Sequence, residues 1–198
     1  MKLFLVRHGE SQANKQNITQ GQLDSNLTDL GIDQAKKLAN RLKDYDFDIV
    51  YSSDLKRAVE TAKEINKFHH KQIILDKRIR EIDRGDFTGQ PHSITKPLWD
   101  ALPEDEFEKK APNGETRIDQ VKRVTNFIEE IEEQGKNILI VCHGHTIRCI
   151  LKALFSDEKT LHEIWEEFPK PNACLYEIDV DKDRNINFIH KGCNIHLD

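Results

Sequence analysis

The sequence predicts an α/β sandwich built on a mostly parallel sheet, and three observations carry that expectation. Two continuous apolar runs, LFLV at 3–6 and ILIVC at 138–142, are long enough for strands and too short for helices. Such runs read as strands buried on both faces. Between them lie segments whose apolar residues recur three and four positions apart, the spacing of helices that cover a sheet. Both runs also end alike, in His8-Gly9 and in His143-Gly144. In open α/β sheets ligands bind outside the carboxyl ends of strands, so the two histidines mark the expected site.

Taken in order, the strand at 3–6 leaves into Arg7-His8-Gly9-Glu10, and a polar loop is expected over 12–26, with Gly21 inside it. Thr28 is a suitable N-cap for a helix carrying Leu30, Ala35, Leu38, Ala39 and Leu42 on its apolar face, and Asp29 suits its first turn. FDIVY at 47–51 reads as a second strand ending in Ser52-Ser53. A helix over 54–68 follows, with Leu55, Ala58, Val59, Ala62 and Ile65 inward and Arg57 in its first turn. A short third strand at 73–75 leads to the charged, turn-rich stretch 79–89, which contains Glu81, Gly85 and Gly89.

Residues 90–114 hold four prolines and form the least regular region. Leu98, Trp99, Leu102 and Phe107 give it apolar residues of its own, so it reads as a lid or specificity insert, not a linker. The clearest helical period spans 116–134, through Ile118, Val121, Val124, Ile128 and Ile131, with Gly135 at the C′ position. After the strand at 138–142 a helix runs to Phe155, then a short acidic helix over about 159–167. Strands at about 174–180 and 186–189, flanking a turn at 181–185, read as a hairpin at a sheet edge. The whole reads as a single domain, 1–198.

Bulk properties narrow the function. A chain of 198 residues buries about 70% of its unfolded surface, enough for a core without metals or disulfides. Net charge of −5 and a pI near 6.0 argue against a general nucleic-acid or anionic-membrane surface. No apolar stretch approaches the roughly 20 residues of a membrane span, and the N-terminal run is too short for a signal peptide. The four cysteines have no CxxC spacing, and Cys142 and Cys149 sit in apolar segments, which suits a reduced cytoplasmic protein. The oligomeric state is left open, the terminal hairpin being the edge available for pairing.

The chemistry follows from what falls near strand ends: Arg7, His8, Arg57, Glu81 and His143. Two arginines and two histidines around one spot suit a tetrahedral dianion, since guanidinium groups donate in pairs to phosphate oxygens and stay charged. Backbone N–H groups after Gly9 and Gly144 add donors. Nearby positive charge lowers a histidine pKa, which keeps His8 neutral and able to take a phosphoryl group on a ring nitrogen. Glu81 is the nearest candidate to protonate the leaving oxygen, and a bound dianion raises its pKa toward that role. His143 and His145 have a spacing also used for metals, but two fixed cations make the spot a poor one for a divalent ion. No metal and no cofactor is expected.

These residues resemble the signature of the histidine phosphatase superfamily, the phosphoglycerate mutase-like family. LFLVRHGES carries its first-histidine block, Asn14 its following Asn, and LTDLGIDQA its helix start. SSDLKRAVETA, REIDRGDFTG, PNGET and VCHGHTIR match four further blocks in the family order. The resemblance implies a three-layer α/β/α sandwich and metal-free catalysis. It implies that His8 is a phosphohistidine nucleophile, that Arg7, Arg57 and His143 hold the phosphoryl group, and that Glu81 donates the proton. Asn14, Gln20 and Gly21, with Gly144 and His145, would line the same pocket.

Two departures bear on substrate: Ala13 stands where many relatives carry Trp, and His145 where the commoner block has Gly. The chain is too short for the longer insert of the mutases. A phosphatase acting on a small phosphorylated metabolite is therefore expected, with a mutase or a catalytically weak phospho-ligand binding module as the alternatives. The insert at 90–114 is expected to set specificity, with Lys96, Lys109 and Lys110 as cations for a second anionic group.

Overall fold

The computed structural model describes residues 1–132 and 136–197. Its centre is a six-stranded sheet in the order β3-β2-β4-β1-β5-β6, made of β1 (Lys2–Arg7), β2 (Ile49–Ser52), β3 (Ile73–Leu75), β4 (Asn137–Cys142), β5 (Leu175–Val180) and β6 (Ile186–Cys193). The first four strands are parallel; β5 runs antiparallel to β1, and β6 antiparallel to β5 at the edge. The sheet is thus mixed but mostly parallel, with the expected terminal hairpin.

The two apolar runs pair directly. Leu3 lies opposite Ile138 and the register continues to Arg7 opposite Cys142, so both strands deliver their histidines at the same edge of the sheet. Alternation within each run feeds two separate cores. Leu3, Leu5, Ile138 and Ile140 pack with Val124, Phe127, Ile128 and Ile131 of one helix and Ile147, Ile150 and Leu154 of another. Phe4, Val6, Leu139 and Val141 pack on the opposite face with Leu38, Leu42, Ala58, Ala62 and Ile65. All four residues 3–6 are at most 1% exposed, and burying a side chain of this size contributes about 1.5–3 kcal/mol. That double-sided demand is why residues 3–6 and 138–141, within these strands, are all apolar.

The helices are α1 (Gln12–Lys15), α2 (Asp29–Leu42), α3 (Lys56–Asn66), α4 (His92–Asp100), α5 (Arg117–Glu132), α6 (Gly144–Phe155) and α7 (Leu161–Glu167). Thr28 caps α2 as expected, accepting from the Gly31 N–H. Leu30, however, is 53% exposed and not part of the apolar face. The stretch expected as loop over 12–26 contains α1, held by a capping box in which Ser11 and Asn14 each bond the other's backbone. Four residues give no apolar period to read. The expected end of the long helix at Gln134 and the C′ Gly135 lie outside the described residues. In the insert, Trp99 and Phe107 are buried while Leu98 points to solvent, because Pro97 sits inside α4 and only one short face meets the body.

Candidate active site

The ends of β1, β2 and β4 and the stretch after β3 surround a cavity of about 520 Å³. Its walls include Arg7, His8, Asn14, Gln20, Gly21 and Arg57, and across from them Glu81, Gly144 and His145. Nine of the ten residues named from sequence therefore meet at one space. The tenth, His143, lies beneath it, fully buried, with its ring centroid 5.1 Å from that of His8.

His8 leaves β1 on a turn held tightly against α2. A Cβ on Gly9 would sit 2.4 Å from the Gly31 carbonyl oxygen, and one on Gly31 2.0 Å from that of Glu10, so this approach admits only glycine at both places. The Gly9 N–H is engaged by Thr61 Oγ1 at 3.1 Å and so is not an anion donor. His8 Nδ1 lies 2.6 Å from the Gly9 carbonyl oxygen. A carbonyl only accepts, so Nδ1 carries the proton and Nε2 keeps its lone pair. The His8 pKa is held well below its ordinary value, first by burial and then by Arg57 and Arg7. Burial thus outweighs the arginines that charge reasoning alone had invoked, and both keep the ring neutral.

His143 is oriented from both sides. Arg57 Nε donates to its Nδ1 at 3.2 Å, which places the ring proton on Nε2, facing Ser53 Oγ at 2.8 Å. Burial lowers its pKa too, with Arg57 and His8 adding to the effect. Arg57 is 1% exposed, and its remaining bonds go to the Leu23 and Gly21 carbonyls at 2.7 and 2.9 Å. The loop carbonyls hold the guanidinium in place, and burial pulls its pKa down to about 10, leaving it charged at neutral pH. Arg7 Nη1 donates to the Lys170 carbonyl, while its buried Nε has no partner among the described residues. An unpaired guanidinium N–H at the cavity wall is a donor awaiting an acceptor.

Glu81 stands across the cavity with its side chain 14% exposed. The Ile82 N–H reaches its Oε1 at 2.9 Å and the His145 N–H its Oε2 at 3.3 Å. His145 Nδ1 also faces Oε1 at 3.3 Å. Burial alone would raise this carboxyl, but the electrostatic pull of the His145 ring, the hydrogen bond that ring gives, and then His143 and the Ile82 N–H override it and hold the pKa well below the ordinary range. His145 itself is pushed down to about 3 by burial, against the pull of Glu81. It is therefore neutral, and donates from Nδ1 to the carboxylate. His143 and His145 point to different partners, and among the described residues no group of three or more His, Cys, Asp or Glu gathers around a metal position.

Asn14 Oδ1 accepts from the Ser11 N–H at 3.2 Å and from Asn172 Nδ2 at 3.3 Å, leaving its NH₂ as the donor for the cavity. Asn172, which sequence reasoning passed over, also bonds the His8 carbonyl at 3.2 Å. Ser53 was visible only as the second serine of the SSDL stretch. Its role is set by contact with His143, 90 positions away. The insert cations differ from expectation. Lys96 lines the cavity but pairs with Asp100. Lys109 lies 3.6 Å from Glu106, and Lys110 is exposed. Arg84, Arg117 and Lys170 line the cavity beside Lys96.

Comparison with known proteins gives the class. The family model of the histidine phosphatase superfamily (branch 1) matches residues 3–189. The chain belongs to that superfamily, and its enzyme class is that of phosphoric monoester hydrolases. Among its relatives, phosphoserine phosphatase 1 of Hydrogenobacter thermophilus is 33% identical over 195 residues, covering 94% of this chain and 90% of that protein. The crystal structure of the α-ribazole phosphatase from Shigella flexneri superposes with a TM-score of 0.88 at 28% identity, covering 98% of this chain and 97% of that one. A phosphoserine phosphatase from Entamoeba histolytica in complex with 3-phosphoglyceric acid superposes with a TM-score of 0.82 at 25% identity, covering 99% of this chain and 98% of that one.

Proposed function

We propose that the protein is a metal-independent phosphatase that hydrolyses a small phosphomonoester metabolite through a phosphohistidine at His8. The observation that carries this reading is the neutral His8 ring, its Nδ1–H tied to the Gly9 carbonyl and its Nε2 lone pair left at a wall shared with Arg7, Arg57 and Glu81. In the first half-reaction the Nε2–P bond forms as the ester P–O bond breaks, and the leaving oxygen takes a proton from Glu81. In the second, water attacks phosphorus, Glu81 takes its proton, and His8 is released. Arg7 and Arg57 neutralise the phosphoryl oxygens, and His143 holds Arg57 in place.

Glu81 is ionised when the cavity is empty. A phosphate dianion beside it opposes that charge and raises the carboxyl, so substrate binding is what prepares the acid. The segment 90–114 serves as the specificity insert of a one-domain enzyme, through Trp99 and the cavity-lining face of α4. All four cysteines are free, and among the described residues no helix is long and apolar enough to cross a membrane. We place the enzyme in the cytoplasm on that cysteine chemistry.

The test is chemical trapping. Brief incubation with a labelled phosphomonoester and acid-sensitive, base-stable recovery of label on the wild type, absent in His8→Ala, is the expected result. Activity is expected to survive EDTA. Label retained in His8→Ala, or activity lost to EDTA and restored by a divalent cation, overturns the mechanism. Addition of a bisphosphorylated primer separates a mutase, which would move phosphate between carbons.

A further inference from the structure

Glu81, the acid of the proposed reaction, is carried by backbone with no regular structure of its own: residues 80–84 belong to no strand or helix. Their polar backbone groups must find partners elsewhere, and they find them on α5 and on the loop that leads into it. Arg123, in the second turn of α5, directs its whole guanidinium fork into this junction. Nη1 donates to the Arg78 carbonyl at 2.6 Å and to the Arg80 carbonyl at 3.0 Å, and Nη2 to the Glu81 carbonyl at 3.1 Å. The remaining bonds go to the two carboxylate oxygens of Glu115, from Nη2 at 2.5 Å and from Nε at 3.0 Å. A guanidinium has five N–H donors, and here each has an acceptor.

Glu115 closes the arrangement from the other side. Its Oε1 accepts from the Asp83 N–H at 2.9 Å, and its own N–H donates to the Asp83 carbonyl at 3.2 Å. Behind it the two backbones touch: Gly85 has a φ of +47°, and a Cβ there would lie 2.0 Å from the Pro112 carbonyl oxygen. Gln120, fully buried and one turn before Arg123, sends Nε2 to Thr146 Oγ1 at 3.2 Å and towards the Arg80 carbonyl at 3.4 Å and Glu81 Oε1 at 3.5 Å. The segment 78–83 is therefore gripped on both sides of Glu81. Neither Arg123 nor Glu115 lines the cavity, so the grip acts on the acid and not on the substrate.

We infer that Arg123, locked by Glu115, is a positioning residue for the proton-transfer step: it fixes the backbone of 78–83 so that the Glu81 carboxyl meets the leaving oxygen. A general acid must come within about 2.6–3.2 Å of the atom it protonates, and a misplacement of about 1 Å can cost 10²-fold in rate. A lysine cannot replace the fork, because it has three donors and no planar pair to match the carboxylate. The inference rests on the role proposed above for Glu81.

Two esters separate placement of the acid from general damage. Glycerol 3-phosphate must have its leaving alkoxide protonated, whereas 2,4-dinitrophenyl phosphate releases a stable phenolate without help. Arg123→Gln is expected to lower kcat/KM by about 10²-fold for the first and by less than about 5-fold for the second, the pattern also expected of Glu81→Gln. Arg123→Lys is expected to restore part of the loss. Glu115→Gln, which keeps the backbone bond to Asp83, is expected to show the same bias at about 10-fold. Equal losses on both esters in Arg123→Gln and Glu115→Gln overturn the positioning role and leave a structural ion pair. Amide hydrogen exchange read by mass spectrometry is expected to quicken at least about 10-fold in the peptide spanning 78–83 of both variants, with β1 and β4 unchanged. Unchanged exchange there overturns the grip itself. A wild type that turns over neither ester fails the phosphatase reading, while the exchange still decides whether Arg123 holds the segment.

Discussion

The two strand ends that look alike in sequence are used differently in the fold. Each is an apolar run delivering His-Gly, yet His8 shares the cavity wall and His143 lies under it with no surface exposed. The difference is in their partners. His8 has one ring nitrogen tied to its own turn and the other left open. His143 has both nitrogens engaged, by Arg57 and by Ser53. A buried neutral imidazole with one open nitrogen suits attack; one saturated on both sides suits the fixing of a neighbouring cation. The motif supplies two histidines, and hydrogen bonding ties one ring nitrogen of His8 to its own turn and engages both ring nitrogens of His143.

Substitutions at the two ends are expected to separate them. His8→Ala removes the attacking atom and lowers kcat by about 10⁴-fold or more, with phosphoenzyme lost altogether, as rapid-quench labelling reads. His143→Ala is expected to cost about 10²–10³-fold in kcat/KM while phosphoenzyme still forms on His8, because it disturbs the arginine and not the nucleophile. It also strands the Arg57 Nε–H, so thermal or denaturant unfolding is expected to show a loss of about 1–3 kcal/mol. If His143→Ala abolished labelling while leaving the fold intact, the division of roles would be wrong.

The pH dependence probes what the two rings share. Both have folded pKa values well below 6.5, so below pH 6.5 the unfolded chain binds protons that the native rings refuse. Stability is full above that pH and falls as pH drops below it, by up to about 1.4 kcal/mol per pH unit for each ring. His145, pushed down to about 3, adds in the same direction. Urea midpoints measured from pH 7 to 5 are expected to fall accordingly, and His8→Gln to flatten the slope. The smallest effect is expected from Ser53→Ala, about 10-fold in kcat/KM, since the Arg57 bond still orients His143. A loss equal to that of His143→Ala would instead make Ser53 the principal anchor.

Arg7, His8, Arg57, His143 and Gly144 were legible because each sits at or just past the end of a strand or in the first turn of a helix, whereas Glu81, Gln20 and Gly21 lie in irregular stretches. At such ends a short local pattern settles both the element and the direction of exit. Arg7-His8-Gly9, Arg57 and His143-Gly144 needed only the apolar run before them and the helical period after them. The four-residue helix α1 was not legible, since its stability comes from the Ser11–Asn14 capping box and not from a buried face. Leu30 was misplaced because its period marks a helix face that the sheet does not reach.

The α/β order, the core strands buried on both faces, and the strand ends at which Arg7, His8, Arg57 and His143 gather were readable from the chain alone. Those depend on interactions within a few residues, where period and capping act. The tertiary fold is what leaves His143 fully buried beneath the cavity wall, turns His145 to the Glu81 carboxylate, and makes burial more than charge the reason His8 is neutral. It also pairs Lys96 with Asp100 and Lys109 with Glu106, while among the described residues the side chains of Arg84 and Lys170 have no ion pair. The placements of His143, His145 and His8 depend on which groups, far apart in the chain, come within about 4 Å of one another and lose water together, whereas the Lys96–Asp100 and Lys109–Glu106 pairs are local.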